Sequence, residues 1–396
     1  MAMLTVPEAH ARVIALFETL SVERVDLAEA AGRVLARPVT ARRAQPPFRS
    51  SAMDGYALRG ADGSPGAVLR VIAESTAGER FAGAVGEGEA VRIFTGAPVP
   101  DGADTILIQE DAEVSGDGIV VRGDLGAGTH IRPAGGDFHE GARFEAPRRL
   151  SARDISLLAA MNAPRLEVVR RPVVALIPTG NELVMPGEEP GPDQILSSNG
   201  FGLKALLEGD GAEVRLLPIA RDTVESLDAV FALARGADLI VTLGGASVGD
   251  YDLVEQTATA RGLDLSFYKI AMRPGKPLMA GRLEGSPMVG LPGNPVSAMV
   301  CAEIFLRPAI ARMLGLDAAL PARIAGKLAR PLDANGPREH YMRATVTRTE
   351  EGWLCDPSER QDSSLLSVLA SANALMVRPA GDPARSAGST VEFILL

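Results

Sequence analysis

Three turns rich in glycine and proline, all in the second half of the chain, carry the side chains best suited to bind a charged ligand. They span residues 244–252, 273–277 and 292–295, and each follows a short apolar run. In an open α/β sheet such positions lie at the carboxyl ends of the strands, where ligands bind. The sequence therefore predicts an α/β domain whose ligand site is built from these turns.

The first turn offers backbone N–H groups to an anion. Gly245 allows a ligand to approach the backbone closely, and Ser247 adds a hydroxyl shortly before a predicted helix. A plain tight turn explains the same residues. The spacing is neither GxGxxG followed by an acidic residue nor GxxxxGK[ST], which excludes a dinucleotide site and an ordinary P-loop.

The second and third turns add positive charge and a helix N-terminus. Arg273 and Lys276 lie on a stiff turn with Lys269 shortly before, so they could hold a phosphate or another oxyanion. A solvated basic turn is the alternative. Residues 292–295 lead into a helix with Ser297 in its first turn, and a helix N-terminus attracts anions.

Acidic residues on the same loops suit a divalent cation. Asp250 and Asp252 could bind Mg²⁺, which pairs carboxylates with phosphate oxygens, although Asp250 could instead cap the next helix. After the first strand of the α/β region, Thr179 and Glu182 place a hydroxyl and a carboxylate on a ligand-binding loop. Alternatively, Asn181 and Glu182 only cap or solvate that turn.

Composition limits the possible functions. A chain of 396 residues predicts two to four domains, and a net charge of −10 argues against a general nucleic-acid binder. No apolar run could span a bilayer, and the first residues do not resemble a signal peptide. Cys301 and Cys355 are therefore expected to be reduced thiols in a cytoplasm. Four histidines without paired spacing do not predict a zinc site.

The first half of the chain predicts helices at both ends of a β region. Residues 5–20 and 27–36 have helical spacing, although Gly32 interrupts the second segment, and Ser151 caps a helix over 151–161. Between them a long extended segment covers 38–56. Short apolar runs with many turns then predict an inserted β unit, with strands at 67–72, 89–94, 105–108 and 118–122.

The second half alternates strand and helix and then returns to β structure. The predicted strands are 173–177, 213–219, 238–243, 264–270 and 288–291, and the predicted helices are 199–208, 224–234, 251–260 and 295–313. This order predicts a mostly parallel sheet with right-handed crossovers. After a linker at 315–325, the runs 343–348, 374–378 and 390–395 predict a closed or half-closed β unit.

The motifs, taken together, resemble those of the molybdopterin molybdenumtransferase (MoeA) family, which also includes the C-terminal E-domain of gephyrin. The matching segments, in chain order, are SSAMDGYAL, TGAPVPDGAD, PTGNELV, GGASVGDYD, RPGKP and GLPGNPVSA. The resemblance covers essentially the whole chain. It implies an α/β multidomain fold: a doubly wound molybdopterin-binding domain, an inserted β domain, a small mixed linker domain and a C-terminal β-barrel-like domain.

The resemblance also implies domain boundaries and an assembly. The expected domains are an N-terminal helix at 1–20 that packs with the α/β domain, an elongated linker domain at 21–47 and 138–170, the inserted β domain at 48–137, the α/β domain at 171–320 and the C-terminal domain at 321–396. The family forms elongated homodimers whose active cleft lies between the α/β domain of one subunit and the inserted domain of the other. Molybdopterin adenylyltransferase and molybdenum-enzyme apoproteins are possible partners.

The implied reaction takes adenylylated molybdopterin and molybdate, with Mg²⁺ or a similar ion, inserts molybdenum into the dithiolene and releases AMP. Carried over by position, the catalytic residues are Asp54, Thr95, Glu182, Asp222, Asp252, Lys269 and Lys276. The substrate-binding residues are Asp137, Thr179, Gly245, Ser247, Arg273, Pro292, Asn294, Pro295, Ser297, Arg343 and Ser363. Glu182 and Asp252 would bind the metal.

At two positions the residue differs from the one common in the family, and two further roles each have two candidate positions. Arg273 stands where many members have Lys, so a planar fork replaces a point charge, and Asn181 stands where Asp is common. In the C-terminal region the functional Arg is Arg338 or Arg343, and the functional Ser is at 363 or 367. We expect molybdate or water to be the nucleophile, without a covalent enzyme intermediate.

Three other functions compete with this one. An adenylyltransferase would leave the inserted and C-terminal β regions without a purpose. A non-catalytic molybdopterin-binding scaffold is less compatible with the presence of Asp54, Glu182, Asp252 and Lys276. A tungstate-inserting variant cannot be distinguished, because tungstate and molybdate are so similar in size and charge.

Overall fold

The chain separates into two compact units. The computed structural model describes residues 3–126, 128–245 and 253–396. The larger unit contains Met1–Glu23, Gly32–Ala36 and Val168–Leu396, and the smaller unit contains Arg24–Ala31 and Arg37–Glu167. Each unit is described by itself below.

The helices of the described residues are α1 (Val6–Ile14), α2 (Ala152–Ala160), α3 (Asn199–Gly209), α4 (Val224–Leu233), α5 (Leu253–Ala260), α6 (Pro295–Cys301), α7 (Arg307–Met313) and α8 (Leu366–Ser371). Short 3₁₀ turns occupy Leu27–Glu29, Gly60–Asp62 and Gln109–Asp111, and a π-helical turn occupies Ala302–Leu306. None of the described helices is long and apolar enough to cross a membrane.

The strands are β1 (Val22–Asp26), β2 (Val34–Leu35), β3 (Val39–Thr40), β4 (Ser50–Ser51), β5 (Gly55–Leu58), β6 (Val68–Ser75), β7 (Glu89–Ile93), β8 (Thr105–Ile108), β9 (Ala112–Ser115), β10 (Gly118–Val121), β11 (Ile131–Arg132), β12 (Arg143–Phe144), β13 (Arg148–Arg149), β14 (Arg165–Val169), β15 (Val173–Pro178), β16 (Leu183–Val184), β17 (Ile195–Leu196), β18 (Glu213–Leu216), β19 (Leu239–Leu243), β20 (Asp264–Tyr268), β21 (Met272–Arg273), β22 (Met279–Leu283), β23 (Ser286–Leu291), β24 (Ile324–Leu328), β25 (Glu339–Thr349), β26 (Gly352–Pro357), β27 (Ala374–Arg378) and β28 (Thr390–Leu395).

A six-stranded sheet in the order β18-β15-β19-β23-β22-β20 forms the centre of the larger unit. Strands β18, β15, β19 and β23 pair in parallel, as the alternation of strand and helix predicts. β19 is buried at every residue, which is typical of a parallel strand covered on both faces. The strand expected at 213–219 is shorter, because it ends at Leu216, two residues before Pro218.

The other edge of this sheet differs from the prediction. β22 was not predicted, and it pairs antiparallel with both β20 and β23. A two-residue turn joins β22 to β23, with positive φ at Glu284 (49°) and Gly285 (87°). Such turns favour hairpins. Glu284 and Gly285 therefore add an antiparallel edge to the parallel sheet.

Helices cover both faces of the sheet, which confirms the doubly wound fold. One face packs in a core that includes residues of α1, α3, α6 and α7, and the other packs in a core with residues of α4 and α5. Thr5 and Glu8 form the predicted capping box of α1. The helix ends at Ile14 rather than near residue 20. The apolar pattern continues because Phe17, after the helix, still packs in the core.

The prediction of a helix at 27–36 is wrong. Gly32 has a φ of +75°, which ends the 3₁₀ turn, and the next residues form β2. Val34 and Leu35 pair with Val169 and Val168 of β14. Val34 and Leu35 are both buried although they point to opposite faces of the strand. Two adjacent apolar residues therefore do not show the alternation of a strand, and the sequence pattern indicates one face of a helix instead.

The smaller unit contains the predicted β region and the helix that follows it. Its six-stranded sheet runs in the order β8-β5-β7-β6-β10-β9. β5 lies between β8 and β7 and is fully buried, and a Cβ atom on Gly55 would lie 1.9 Å from the carbonyl oxygen of Leu107. The helix predicted at 151–161 is confirmed as α2, with Ser151 and Asp154 as its capping box.

The C-terminal region forms a closed β-barrel. Five strands follow in the order β25-β26-β24-β28-β27, and β27 pairs back with β25. The predicted runs at 343–348, 374–378 and 390–395 belong to it, whereas β24, β26 and α8 were not predicted. Strand β21 of the preceding region adds to the edge of β25, so Arg273 lies beside His340.

Candidate active site

A cleft of about 840 Å³ opens at the carboxyl ends of β15, β19 and β23. Several predicted site residues line it: Thr179, Glu182, Asp222, Gly245, Pro292, Asn294 and Pro295. They come from four separate loops of one sheet edge, where an open α/β sheet binds ligands. Ser247, Asp250 and Asp252 lie outside the described residues.

The glycines of the first turn keep the floor of the cleft close to the sheet. Gly244 and Gly245 have φ angles of +104° and +64°, and a Cβ atom on Gly245 would lie 2.1 Å from Cγ2 of Val254. Thr179 turns inward and donates its hydroxyl to the carbonyl oxygen of Leu243 at 3.3 Å. Thr179 is therefore a structural hydrogen-bond donor in this state.

Two acidic residues line the cleft from neighbouring loops. Glu182 follows β15 and Asp222 follows β18, and both are exposed. Asn181 joins their loops, because its backbone N–H donates to Asp222 Oδ2 at 3.2 Å and its Oδ1 accepts from the N–H of Asp222 at 3.1 Å. The amide of Asn181 thus ties two loops together, which no rule of turn capping predicts.

Carboxylate oxygens at this position fit Mg²⁺ in their chemistry. Mg²⁺ prefers hard oxygen ligands and usually takes one or two carboxylates together with water and substrate phosphates. Glu182 and Asp222 supply such oxygens at one cleft. Among the residues that the structure describes, no group of three or more His, Cys, Asp or Glu side chains is clustered to hold a metal alone.

The opposite wall of the cleft was not predicted. Ser198 and Asn199 line it at the start of α3, and the amide of Asn199 donates to the carbonyl oxygen of Gly293 at 2.7 Å. Ile195 and Leu196 of β17 also line it, with 59% and 48% of their surfaces exposed. The cleft thus combines acidic loops with an apolar wall.

The basic turn 273–277 is fixed from below and lies beside the cleft. A Cβ atom on Gly275, whose φ is +109°, would lie 2.5 Å from Sγ of the buried Cys301. Pro277 lines the cleft, whereas Arg273 and Lys276 do not appear in its lining. Lys269 is exposed and its Nζ lies 5.5 Å from the ring centre of Tyr268.

Arg343 is completely buried next to this turn. Its Nη2 donates to the carbonyl oxygen of Asp362 at 2.9 Å, while Nε and Nη1 have no hydrogen-bond partner within the described part of the chain. Burial lowers the pKa of Arg343. A buried guanidinium with two unused donors can bind an oxyanion, because its N–H groups match the geometry of such ligands.

Positive charge is concentrated around His340. Burial lowers the pKa of His340 to about 3, and nearby guanidinium groups add to the effect: Arg273, Arg343, Arg378 and Arg338. His340 is therefore neutral at neutral pH and adds no positive charge. The arginines give this region its positive charge.

A short segment after Arg360 links this basic region to the cleft. Asp362 accepts from Arg343, the carbonyl oxygen of Ser363 accepts from the N–H of Val296 in α6 at 3.1 Å, and Ser364 lines the cleft. Ser297 is buried in α6 and is not part of the lining. Of the alternative positions, Arg338 donates to the carbonyl oxygen of Met272 and Ser367 is exposed on α8.

The smaller unit holds the remaining predicted residues. Asp54 Oδ1 accepts from both the backbone N–H and the hydroxyl of Thr95, each at 2.7 Å. These hydrogen bonds lower the pKa of Asp54, so it is ionised at neutral pH. Arg92 lies 5.0 Å from the ring centre of Tyr56 on the adjacent strand. Asp137 is exposed on a separate loop.

The fold and the cleft define a class: a multidomain protein in which a doubly wound ligand-binding domain is combined with a β-sheet unit and a C-terminal β-barrel. Comparison with known families agrees along the chain. The MoeA N-terminal region (domains I and II) matches residues 4–162, a probable molybdopterin-binding domain matches 175–312, and the MoeA C-terminal region (domain IV) matches 325–396.

Individual relatives agree over nearly the whole length. A molybdopterin molybdenumtransferase from a Nostoc species is 35% identical over 94% of this chain and 88% of its own. Molybdopterin molybdenumtransferase 2 of Mycobacterium tuberculosis is 36% identical over 94% of this chain and 95% of its own. The crystal structure of a MoeA protein from Pyrococcus horikoshii, 29% identical, covers 100% of this chain and 99% of its own with a TM-score of 0.84. The chain therefore belongs to the MoeA family of molybdopterin molybdenumtransferases.

Proposed function

We propose that this protein inserts molybdate into adenylylated molybdopterin and releases AMP. The observation that carries the proposal is that two unlike regions of the larger unit are connected. An acidic cleft with an apolar wall adjoins a buried arginine with two unused donors, and residues 362–364 connect them. Such a pair suits a substrate with an apolar ring and phosphates together with a separate oxyanion.

The side chains have distinct tasks in this proposal. Arg343 and the segment at Ser363 bind molybdate, while Lys269, Arg273 and Lys276 offset the charge of phosphate oxygens. The apolar wall at Ile195 faces the pterin or the adenine. An oxygen of molybdate or water attacks the phosphorus of the molybdopterin phosphate, the P–O bond to AMP breaks, and AMP leaves with the oxygen of that bond. When the two dithiol sulfurs bind molybdenum, one molybdate oxygen leaves as water with the two thiol protons.

Glu182 and Asp252, together with Asp222, are the residues that would hold Mg²⁺. When bound, Mg²⁺ supplies positive charge for the pyrophosphate group. A cysteine nucleophile has no support, because both thiols are buried. Burial raises the pKa of the Cys355 thiol to about 12 and raises that of Cys301 as well, so neither is a thiolate at neutral pH.

The remaining expectations are proposals of the same kind. We propose a homodimer, a cytoplasmic location, and the domain boundaries given by the resemblance. Asp54, Thr95 and Asp137 are proposed as contributions of the inserted domain to catalysis and binding. The ionised Asp54 held by Thr95 is consistent with a preorganised polar group there.

One assay tests the reaction. Purified protein is incubated with adenylylated molybdopterin, Mg²⁺ and molybdate, and AMP release is followed for wild type, Asp54→Ala, Glu182→Gln and Glu188→Gln. We expect molybdate-dependent release that falls about 100-fold in Glu182→Gln, because Mg²⁺, which would offset the charge of the reacting phosphate, loses a carboxylate ligand. Asp54→Ala should also lose activity.

Glu188→Gln is the matched control, because Glu188 is an exposed glutamate six residues further along the same segment and is not part of the cleft lining. It should retain activity within about twofold. Tight binding of the pterin without AMP release would indicate a scaffold instead of an enzyme. Equal loss in both glutamate variants would contradict the assignment of Glu182.

A further inference from the structure

One arginine beside the cleft contacts the loop of Glu182 from beneath. Nη1 of Arg221 donates to three backbone carbonyl oxygens: Gly180 at 3.3 Å, Asn181 at 3.1 Å and Leu183 at 2.9 Å. These residues flank Glu182 on both sides. The loop therefore curls around one guanidinium nitrogen with the glutamate at its outer side.

Such a loop conformation needs a positive partner. Carbonyl oxygens that converge on one point repel one another unless a donor or a cation lies between them. A nitrogen of the guanidinium group has two hydrogens, so three acceptors must share them, and the carbonyl directions then depend on where the guanidinium lies. Gly180, with a φ of +140°, permits the tight turn at the start of the loop.

Arg221 is itself held firmly. Its backbone N–H donates to the hydroxyl of Ser226 in α4 at 2.9 Å. The preceding residue, Ala220, accepts from the N–H of Gly180 at 3.0 Å. The next residue, Asp222, exchanges two hydrogen bonds with Asn181. The guanidinium therefore extends from a loop that is anchored to a helix.

We infer that Arg221 is a positioning residue that fixes Glu182 and Asp222 in the geometry the reaction requires. It acts through the backbone of residues 180–183 and does not line the cleft. This inference rests on the proposed function, because the geometry matters only if the two carboxylates act on the metal or the substrate. No sequence motif pointed to Arg221, since its partners are main-chain atoms of a loop 40 residues away.

Arg215 provides a matched control in the same domain. Arg215 is half-buried like Arg221, and its Nη2 donates only to carbonyl oxygens, those of Ala234 at 3.4 Å and Arg235 at 3.3 Å. These partners lie away from the cleft. Replacing either arginine by glutamine removes one charge and hydrogen bonds to backbone carbonyl oxygens. The two variants therefore differ mainly in which segment loses these bonds, 180–183 for Arg221 and 234–235 for Arg215.

The experiment compares Arg221→Gln, Arg221→Lys and Arg215→Gln by amide hydrogen exchange and by steady-state AMP release. In Arg221→Gln, the amides of residues 180–184 should exchange at least about tenfold faster, and kcat should fall about tenfold with KM within twofold, because misplaced catalytic groups slow the chemical step. Arg221→Lys keeps the charge and should recover part of both losses. Arg215→Gln should leave both unchanged.

Different failures have different meanings. Unchanged exchange at residues 180–184 in Arg221→Gln would overturn the inference, and so would faster exchange with an unchanged kcat. A rise in KM alone would also contradict it, because that result indicates lost binding instead of lost positioning. If wild-type protein releases no AMP, the proposed function fails. The exchange comparison between the two glutamine variants then decides by itself whether Arg221 fixes the loop.

Discussion

At the scale of single residues, the sequence predicted the polar residues of the cleft better than its apolar ones. Glu182 could be predicted because its motif follows a strand of the sheet, whereas Asp222 was indicated only by the family resemblance. Ile195 and Leu196 were missed, since they reach the cleft through the pairing of two-residue strands, β16 and β17, which has no periodic signature. The burial of Arg343 was equally invisible, because an arginine is normally exposed.

Arg343 leads to a prediction that separates binding from stability. Arg343 is completely buried, and its Nε and Nη1 have no hydrogen-bond partner among the described residues. A charge buried in this way is costly, and an apolar side chain of similar length can replace it without loss of stability. Arg343→Met should therefore melt at the same temperature as wild type or higher. It should also lose the rise in melting temperature that molybdate gives to wild type, as measured by thermal shift.

Arg338→Met is the control for this test, because Arg338 is the alternative position and donates to the carbonyl oxygen of Met272. It should keep the molybdate-dependent rise. If Arg338→Met lost that rise and Arg343→Met kept it, the oxyanion site would have to be reassigned to Arg338.

At the scale of elements, the order of strands and helices in the α/β domain was predictable, but its interruptions were not. The single helix expected at 295–313 is divided into α6, a π-helical turn and α7. Pro308 has no N–H, so it cannot continue a regular α-helical ladder, and a π turn accommodates the gap. The antiparallel strand β22 was missed for another reason, since its turn at Glu284 lacks the Asn-Gly or Asp-Gly signal.

The interrupted helix depends on a charged network. Arg307 contacts Asp210 at the end of α3 through two bonds of 2.8 and 3.0 Å, and it contacts the buried Glu303 at 2.9 Å. Arg307→Gln would leave Glu303 buried without its cation, so we expect a loss of about 2 kcal/mol in the free energy of unfolding, seen as a lower urea midpoint.

The control for Arg307 is Arg330→Gln. Arg330 pairs with Asp356 and Glu359, whose side chains are 51% and 83% exposed. Exposed pairs contribute little, so this variant should lose less than about 1 kcal/mol. Equal losses in the two variants would mean that the network at the π turn has no special role.

At the scale of the whole molecule, the fold places its buried positive charge where two regions of the larger unit meet. β21, which carries Arg273, adds to the barrel strand β25, which carries His340 and Arg343. Sequence patterns identified both regions separately. Their pairing could not be predicted, because two residues of parallel strand are too short to show a period.

The burial of His340 among these arginines makes the stability of the protein depend on pH. In the folded protein, burial and the surrounding arginines lower the pKa of His340 from 6.5 to about 3. His340 therefore takes up a proton near pH 6.5 in the unfolded chain, but only near pH 3 in the folded protein. The free energy of unfolding should fall as the pH drops through this window, by up to about 1.4 kcal/mol per pH unit from this group.

His340→Gln should flatten the dependence of unfolding free energy on pH, while the exposed His139→Gln should leave it unchanged. His10, whose pKa burial also lowers, keeps a part of the slope in both variants. Urea unfolding between pH 5 and pH 7 measures this slope above the range in which carboxylates with lowered pKa, such as Asp382, take up protons. A slope that is the same in His340→Gln as in wild type would mean that burial and the arginines do not keep this histidine neutral.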